Sequence, residues 1–149
     1  MMAILSEQLK EQLRARFEER LAGPVQMRLF TRPGSGRLIL PSGLGCATCD
    51  EARQLAEDVQ SAAPDLLALE VIDVSANGDT HEVPTLTLGA PGQESRIAWQ
   101  GLTAGYEFAT VVDAIERVSR DEAGLSERTL DRLAALTDPL EVMVFATPT

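Results

Sequence analysis

Cys46-Ala47-Thr48-Cys49 contains the only two cysteines of the chain. A helical pattern follows at once. At the first turn of a helix, side chains three residues apart share a face, and two sulfurs so placed can close a small disulfide ring. A helix N-terminus favours negative charge, so it stabilises the thiolate of the first cysteine, the nucleophile in disulfide exchange. The second sulfur can then attack the mixed disulfide and release the partner. The spacing therefore suits dithiol–disulfide exchange.

Other readings of the pair stay open at this level. Two cysteines can fall at this spacing in a buried helix with no chemistry attached. Zinc needs about four ligands, and His81 is the only histidine available to join them. A zinc site would therefore have to be shared between chains. A purely structural disulfide gains little here, because it closes a very short loop.

The chain is strongly acidic, with 23 Asp and Glu against 13 Lys and Arg. Nucleic acid and anionic membrane surfaces are poor partners for such a charge, since both call for a basic patch. No stretch approaches the roughly 20 apolar residues of a membrane span. Residues 1–22 are charged throughout, without the apolar segment of a secretory signal. A cytoplasmic location is expected, where a cysteine pair is more often catalytic than structural. A length of 149 residues with 44% hydrophobic residues suits one domain with an appendage.

The elements that must position the cysteines follow from periodicity. Leu5, Leu9, Leu13, Phe17 and Leu21 recur every four residues, which predicts an amphipathic helix capped by Ser6 and ended by Gly23-Pro24. Val25–Phe30 reads as a strand. A 14-residue connection, Arg32 to Gly45, carries four glycines and two prolines, with a little extra strand expected over Arg37–Leu40. Cys46–Ala63 is helical in pattern, with Ala52, Leu55, Ala56 and Val59 on one face. Leu67–Val74 reads as a buried strand, and Asn77-Gly78-Asp79 as a turn. Val83–Leu88 is a third strand headed by Pro84, which lacks the ladder donor and so belongs at a strand start or edge. Ala90-Pro91-Gly92 turns the chain into a fourth strand, Ser95–Gln100. Phe108, Val111, Val112, Ile115 and Val118 mark another helix. Leu130, Leu133 and Leu136 mark a shorter one capped by Ser126. Leu140–Phe145 reads as a last strand, so helix–Pro–strand at 6–30 recurs loosely at 126–145.

Residues 25–119 thus run strand, dithiol, helix, strand, proline-headed strand, strand, helix. A parallel strand–helix–strand crossover with an antiparallel hairpin added makes a four-stranded mixed sheet flanked by helices. This order resembles the thioredoxin fold. The helix ending at Gly23-Pro24-Val25, the run Gly101-Leu102-Thr103-Ala104-Gly105-Tyr106-Glu107-Phe108 and the terminal Val144-Phe145-Ala146-Thr147-Pro148-Thr149 are similar to the glutaredoxin-like protein disulfide oxidoreductases. Those proteins contain two thioredoxin units in tandem. The N-terminal domain of the alkyl hydroperoxide reductase flavoprotein shares the layout.

The resemblance implies an α/β unit over residues 25–121, preceded by a helix at 1–24. Residues 122–149 would then be the first helix and strand of an incomplete second unit. It implies Cys46 as nucleophile and Cys49 as resolving thiol. It also implies a cis bond at Val83–Pro84, with Val83, Pro84 and Gly101 shaping the partner groove. Cis bonds outside proline cost several kcal/mol, hence the proline. Two departures stand out: the insertion at 32–45 lengthens the step from strand to dithiol, and Ala47-Thr48 is neither Pro-Tyr nor Gly-Pro. No metal, nucleotide or flavin site is visible, and no cofactor is expected. Electrons would come from a thiol reductase or a small thiol, and the partners would be disulfide-containing proteins or low-molecular-weight thiols. A homodimer through the last strand is a further expectation. The rival class is a redox-inert docking unit. His81 reads as a solvated loop residue and Trp99 as packing or a partial lid.

Overall fold

The structure, a computed structural model, describes residues 4–32 and 45–147. Helix α1 spans Glu7–Arg20 and starts where the sequence predicts: the Ser6 hydroxyl accepts the Leu9 N–H at 3.2 Å, satisfying one of the unpaired donors of the first turn. Leu5, Leu13 and Phe17 are buried, but Leu9 is 47% exposed. The every-fourth-residue stripe drifts around a helix of 3.6 residues per turn, and at Leu9 it leaves the packed face. Gly23 then allows a close approach, since a Cβ there would meet the Ser119 carbonyl oxygen at 2.9 Å.

Strand β1 (Val25–Thr31) leads towards α2 (Cys49–Ala62), β2 (Leu67–Asp73) and a one-turn α3 (Val74–Asn77). The hairpin β3 (Thr85–Gly89) and β4 (Ile97–Gln100) follows, then α4 (Tyr106–Arg120) and α5 (Glu127–Ala134). The sheet order is β2-β1-β3-β4. β1 pairs parallel with β2, while β1–β3 and β3–β4 are antiparallel. This is the four-stranded mixed sheet anticipated from the element order.

One hydrophobic cluster joins Val25, Met27, Leu29, Leu67, Leu86 and Leu88 of the sheet to buried residues of α1, α2 and α4. Period-2 alternation puts these strand residues on one face, and Gln26 and Arg28, half-buried, on the other. Two buried carboxylates tie α1 in place. Glu116 of α4 accepts Arg16 Nη2 at 3.1 Å, with Arg20 Nη1 at 3.6 Å. Asp58 of α2 accepts Gln54 Nε2 at 3.1 Å and lies 3.6 Å from Lys10 Nζ.

Several expectations require correction. The dithiol helix begins at Cys49 rather than Cys46. β2 stops at Asp73, whose carboxylate accepts the Ser75 N–H at 2.8 Å and caps α3. β4 begins at Ile97 rather than Ser95. Most plainly, Leu140–Phe145 is not a strand. Among the described residues it pairs with no neighbour, and its large apolar side chains are exposed, up to 91% at Phe145. Apolar β-branched composition favours a strand only where a ladder partner and a surface to pack against exist. The strand expected over Arg37–Leu40 lies outside the described residues.

Candidate active site: the Cys46–Cys49 disulfide

The sheet's topology gathers four strand ends at one side. The parallel β1–β2 pair and the antiparallel partners bring Thr31, Asp73, Thr85 and Gln100 to one end: Thr31 is in register with Asp73, Phe30 with Thr85, and Thr85 with Gln100. A crossover helix between parallel strands starts over the end at which the first strand finishes. The N-terminus of α2 therefore belongs to this end.

Cys46 and Cys49 are joined by a disulfide, with Cα atoms 5.5 Å apart. Cys49 is the first residue of α2 and has no exposed surface, whereas Cys46, ahead of the helix, is only half-buried. Thr48 takes the N-cap position and its carbonyl accepts the Ala52 N–H at 2.9 Å, but its side chain makes no capping bond. The positive end of α2 is thus left uncovered by a cap hydroxyl. Asp50 and Glu51 occupy the first turn.

The Val83–Pro84 peptide bond is cis. The Pro84 carbonyl accepts the Gly101 N–H at 2.8 Å, so the proline-headed start of β3 and the exit of β4 are tied together. Gly101 has φ of +100° with open space where a Cβ would stand. Gly101 and Thr103 also line a small interior cavity of about 20 Å³ with Ala52 and Leu55 of α2, which seats the β4–α4 segment against the dithiol helix. The cavity has room for about one water, too little for a ligand. The five residues singled out from sequence therefore fall into two joined sets, Cys46 with Cys49 and Val83-Pro84 with Gly101, at one end of the sheet.

His81 is an exposed loop residue, as expected, but its ring is held in place. Its ring stacks on Phe30, with centroids 3.8 Å apart and planes 12° from parallel. Asp79 Oδ1 accepts the His81 backbone N–H at 2.9 Å and pairs with its Nδ1. The side-chain hydrogen bond from His81, aided by that backbone N–H, lowers the Asp79 pKa below its ordinary 3.8. Trp99 is half-buried against the core, and its Nε1 donates to Thr110 Oγ1 at 3.3 Å, a packing role. Among the described residues no group of three or more His, Cys, Asp or Glu side chains could hold a metal ion. No helix among them is long and apolar enough to cross a membrane.

No family model and no curated protein matches the chain. Solved structures do. A protein disulfide oxidoreductase from Aeropyrum pernix K1 superposes with a TM-score of 0.73 at 26% identity, over 91% of this chain and 56% of that one. The alkylhydroperoxide reductase AhpF of Enterococcus faecalis, and separately its N-terminal domain, superpose with TM-scores of 0.67 at 18% identity, over 89% of this chain and 61% of theirs. The fold is thioredoxin-like, and the resemblance to the glutaredoxin-like protein disulfide oxidoreductases holds in three dimensions. The chain thus carries a Cys–x–x–Cys disulfide on a thioredoxin-like fold. The chain spans 56% and 61% of the proteins it matches.

Proposed function

We propose that the chain is a thiol–disulfide oxidoreductase that works through Cys46 and Cys49. In the reducing direction the Cys46 thiolate attacks a partner R–S–S–R, forms Cys46–S–S–R and expels one RS⁻. The Cys49 thiolate then attacks the Cys46 sulfur, closes the ring disulfide and expels the second RS⁻. Two electrons pass to the partner, and the two protons of the cysteine thiols end on the two released RSH. A thiol reductase or small thiol restores the dithiol by the same exchange in reverse. The observation that carries this reading is the asymmetry of the disulfide: Cys46 stands half-buried ahead of the helix, and Cys49 is fully buried.

Val83, Pro84 and Gly101 form the strip along which an extended partner lies in this reading, supported by the 2.8 Å bond that joins the two segments. The partners are disulfide-containing proteins or low-molecular-weight thiols, in a cytoplasmic setting. Residues 122–149, with α5 but no strand over 140–145, are read as a segment appended to the 25–121 unit and its 1–24 helix. Reduction of insulin by the intact protein, with Cys46→Ser as control, tests the activity.

A specific observation favours a second reading, a docking unit without chemistry of its own. Leu125, Leu130, Leu133, Leu136 and the 140–145 run are all exposed, an apolar surface suited to a further unit or to a second copy of the chain. A chain that holds the disulfide yet reduces no substrate would fit this alternative, and light scattering reports whether the surface makes a homodimer.

A further inference from the structure

Charge is unevenly spread around the disulfide. Asp50 and Glu51 are exposed immediately after Cys49, Glu82 is exposed just before Val83-Pro84, and Glu107 is half-exposed in the first turn of α4 after Gly101. None of the four is in an ion pair among the described residues. One described cation, Arg32, follows Thr31 at the same end of the sheet, and several others are held elsewhere. Arg53 of α2 is held by Glu57 at 2.9 Å, Arg28 by Glu70 at 3.1 Å, and Arg117 by Asp113 at 2.7 Å. Arg16 and Arg20 are drawn to Glu116, on the helices behind the sheet. The segment 33–44 adds one arginine, Arg37, and no acid. Four acidic residues thus stand against Arg32 on the described segments at this end, in a chain of net charge −10.

The carboxylates are not a binding site by themselves. The disulfide fixes where the partner must be, because exchange requires its sulfur to reach bonding distance of Cys46 Sγ. Groups flanking that sulfur then come within about one Debye length, ~10 Å at 0.1 M salt, of Asp50 and Glu51, which follow Cys49 directly. Glu82 and Glu107 stand on the segments that lead into and out of the β3–β4 hairpin at the same end of the sheet. The flanking groups are attracted or repelled there before any bond changes. We propose that the dithiol selects disulfides flanked by cationic side chains, as in a lysine- or arginine-rich polypeptide segment, and discriminates against anionic small disulfides such as oxidised glutathione. This inference rests on the oxidoreductase reading and narrows its substrate class.

The test uses the intact, reduced protein and three small disulfides: cystamine (cationic), hydroxyethyl disulfide (neutral) and dithiodipropionate (anionic). Each rate is divided by the rate of the same disulfide with dithiothreitol, an uncharged dithiol, so that intrinsic reactivity cancels. The normalised cationic-to-anionic ratio should be about tenfold or more at ~10 mM salt and fall to about twofold at ~1 M, where the Debye length is ~3 Å. The triple variant Asp50→Asn, Glu51→Gln, Glu82→Gln should bring the low-salt ratio close to one. A ratio near one for the unaltered protein at low salt, or one that salt leaves unchanged, overturns the inference, and the salt series decides this even if the variant does not fold. Failure to react with hydroxyethyl disulfide would instead remove the oxidoreductase reading on which the inference stands.

Discussion

Cys46 and Cys49 share one covalent bond but occupy opposite environments: Cys49 is wholly buried at the first position of α2, and Cys46 stands half-buried ahead of it. Under the proposed mechanism Cys46 is therefore the residue that meets a partner. Limiting iodoacetamide added to the reduced protein should label Cys46 first, since reactivity follows thiolate access. Cys49→Ser should accumulate a mixed disulfide through Cys46. Preferential label on Cys49 would reverse the assignment.

Gly101 adopts a backbone angle of +100°, which side-chain-bearing residues rarely adopt, with free space around the missing Cβ. Gly101→Ala should therefore cost stability through the backbone alone, about 1–3 kcal/mol, measured as a lower urea midpoint at unchanged slope. A midpoint equal to that of the unaltered protein would show that the turn relaxes freely.

Two arginines separate buried from exposed ion pairing. Arg16→Ala leaves the buried Glu116 carboxylate with only the longer Arg20 contact at 3.6 Å. Arg53→Ala removes an exposed i,i+4 pair with Glu57. The first should lower stability by about 2 kcal/mol, discounted from the full buried-pair loss because Arg16 is itself partly exposed. The second should cost about 0.3–0.5 kcal/mol. Equal losses in urea unfolding would contradict the packing assigned to α1.

Much of this architecture was legible in the sequence. The periodicities of Leu13 and Phe17, of Ala52, Leu55 and Val59, and of Val111, Val112 and Ile115 all mark faces that the structure buries. The dithiol and proline order pointed to the sheet topology. What escaped depends on long-range partners. Leu140–Phe145 has strand composition but no described ladder partner, so composition alone misleads. Leu9 fits a stripe that the helix turns away from the core. Glu116 and Asp58 look like surface charges until their positions at the α1 contact are known. The stack of His81 on Phe30 joins residues 51 positions apart, which no local sequence pattern marks.

The Asp79–His81 pair sets a titration. The hydrogen bond from His81 holds the Asp79 carboxyl below its ordinary 3.8. A depressed folded-state value means that the contact favours the folded loop above the unfolded pKa and loses this contribution as pH falls through the folded one. Carboxyl-carbon NMR should show Asp79 titrating below 3.8, and His81→Ala should return it towards that value. An unchanged titration in the variant would show that the pair does not hold in solution.

The most direct test is reduction of insulin disulfides by the intact protein with dithiothreitol as electron source, beside Cys46→Ser and Cys49→Ser. The proposed mechanism predicts that the unaltered protein accelerates precipitation of the insulin B chain and that Cys46→Ser falls to the dithiothreitol background. If the unaltered protein matches that background, or if Cys46→Ser retains full activity, Cys46 is not the nucleophile of a thiol–disulfide oxidoreductase.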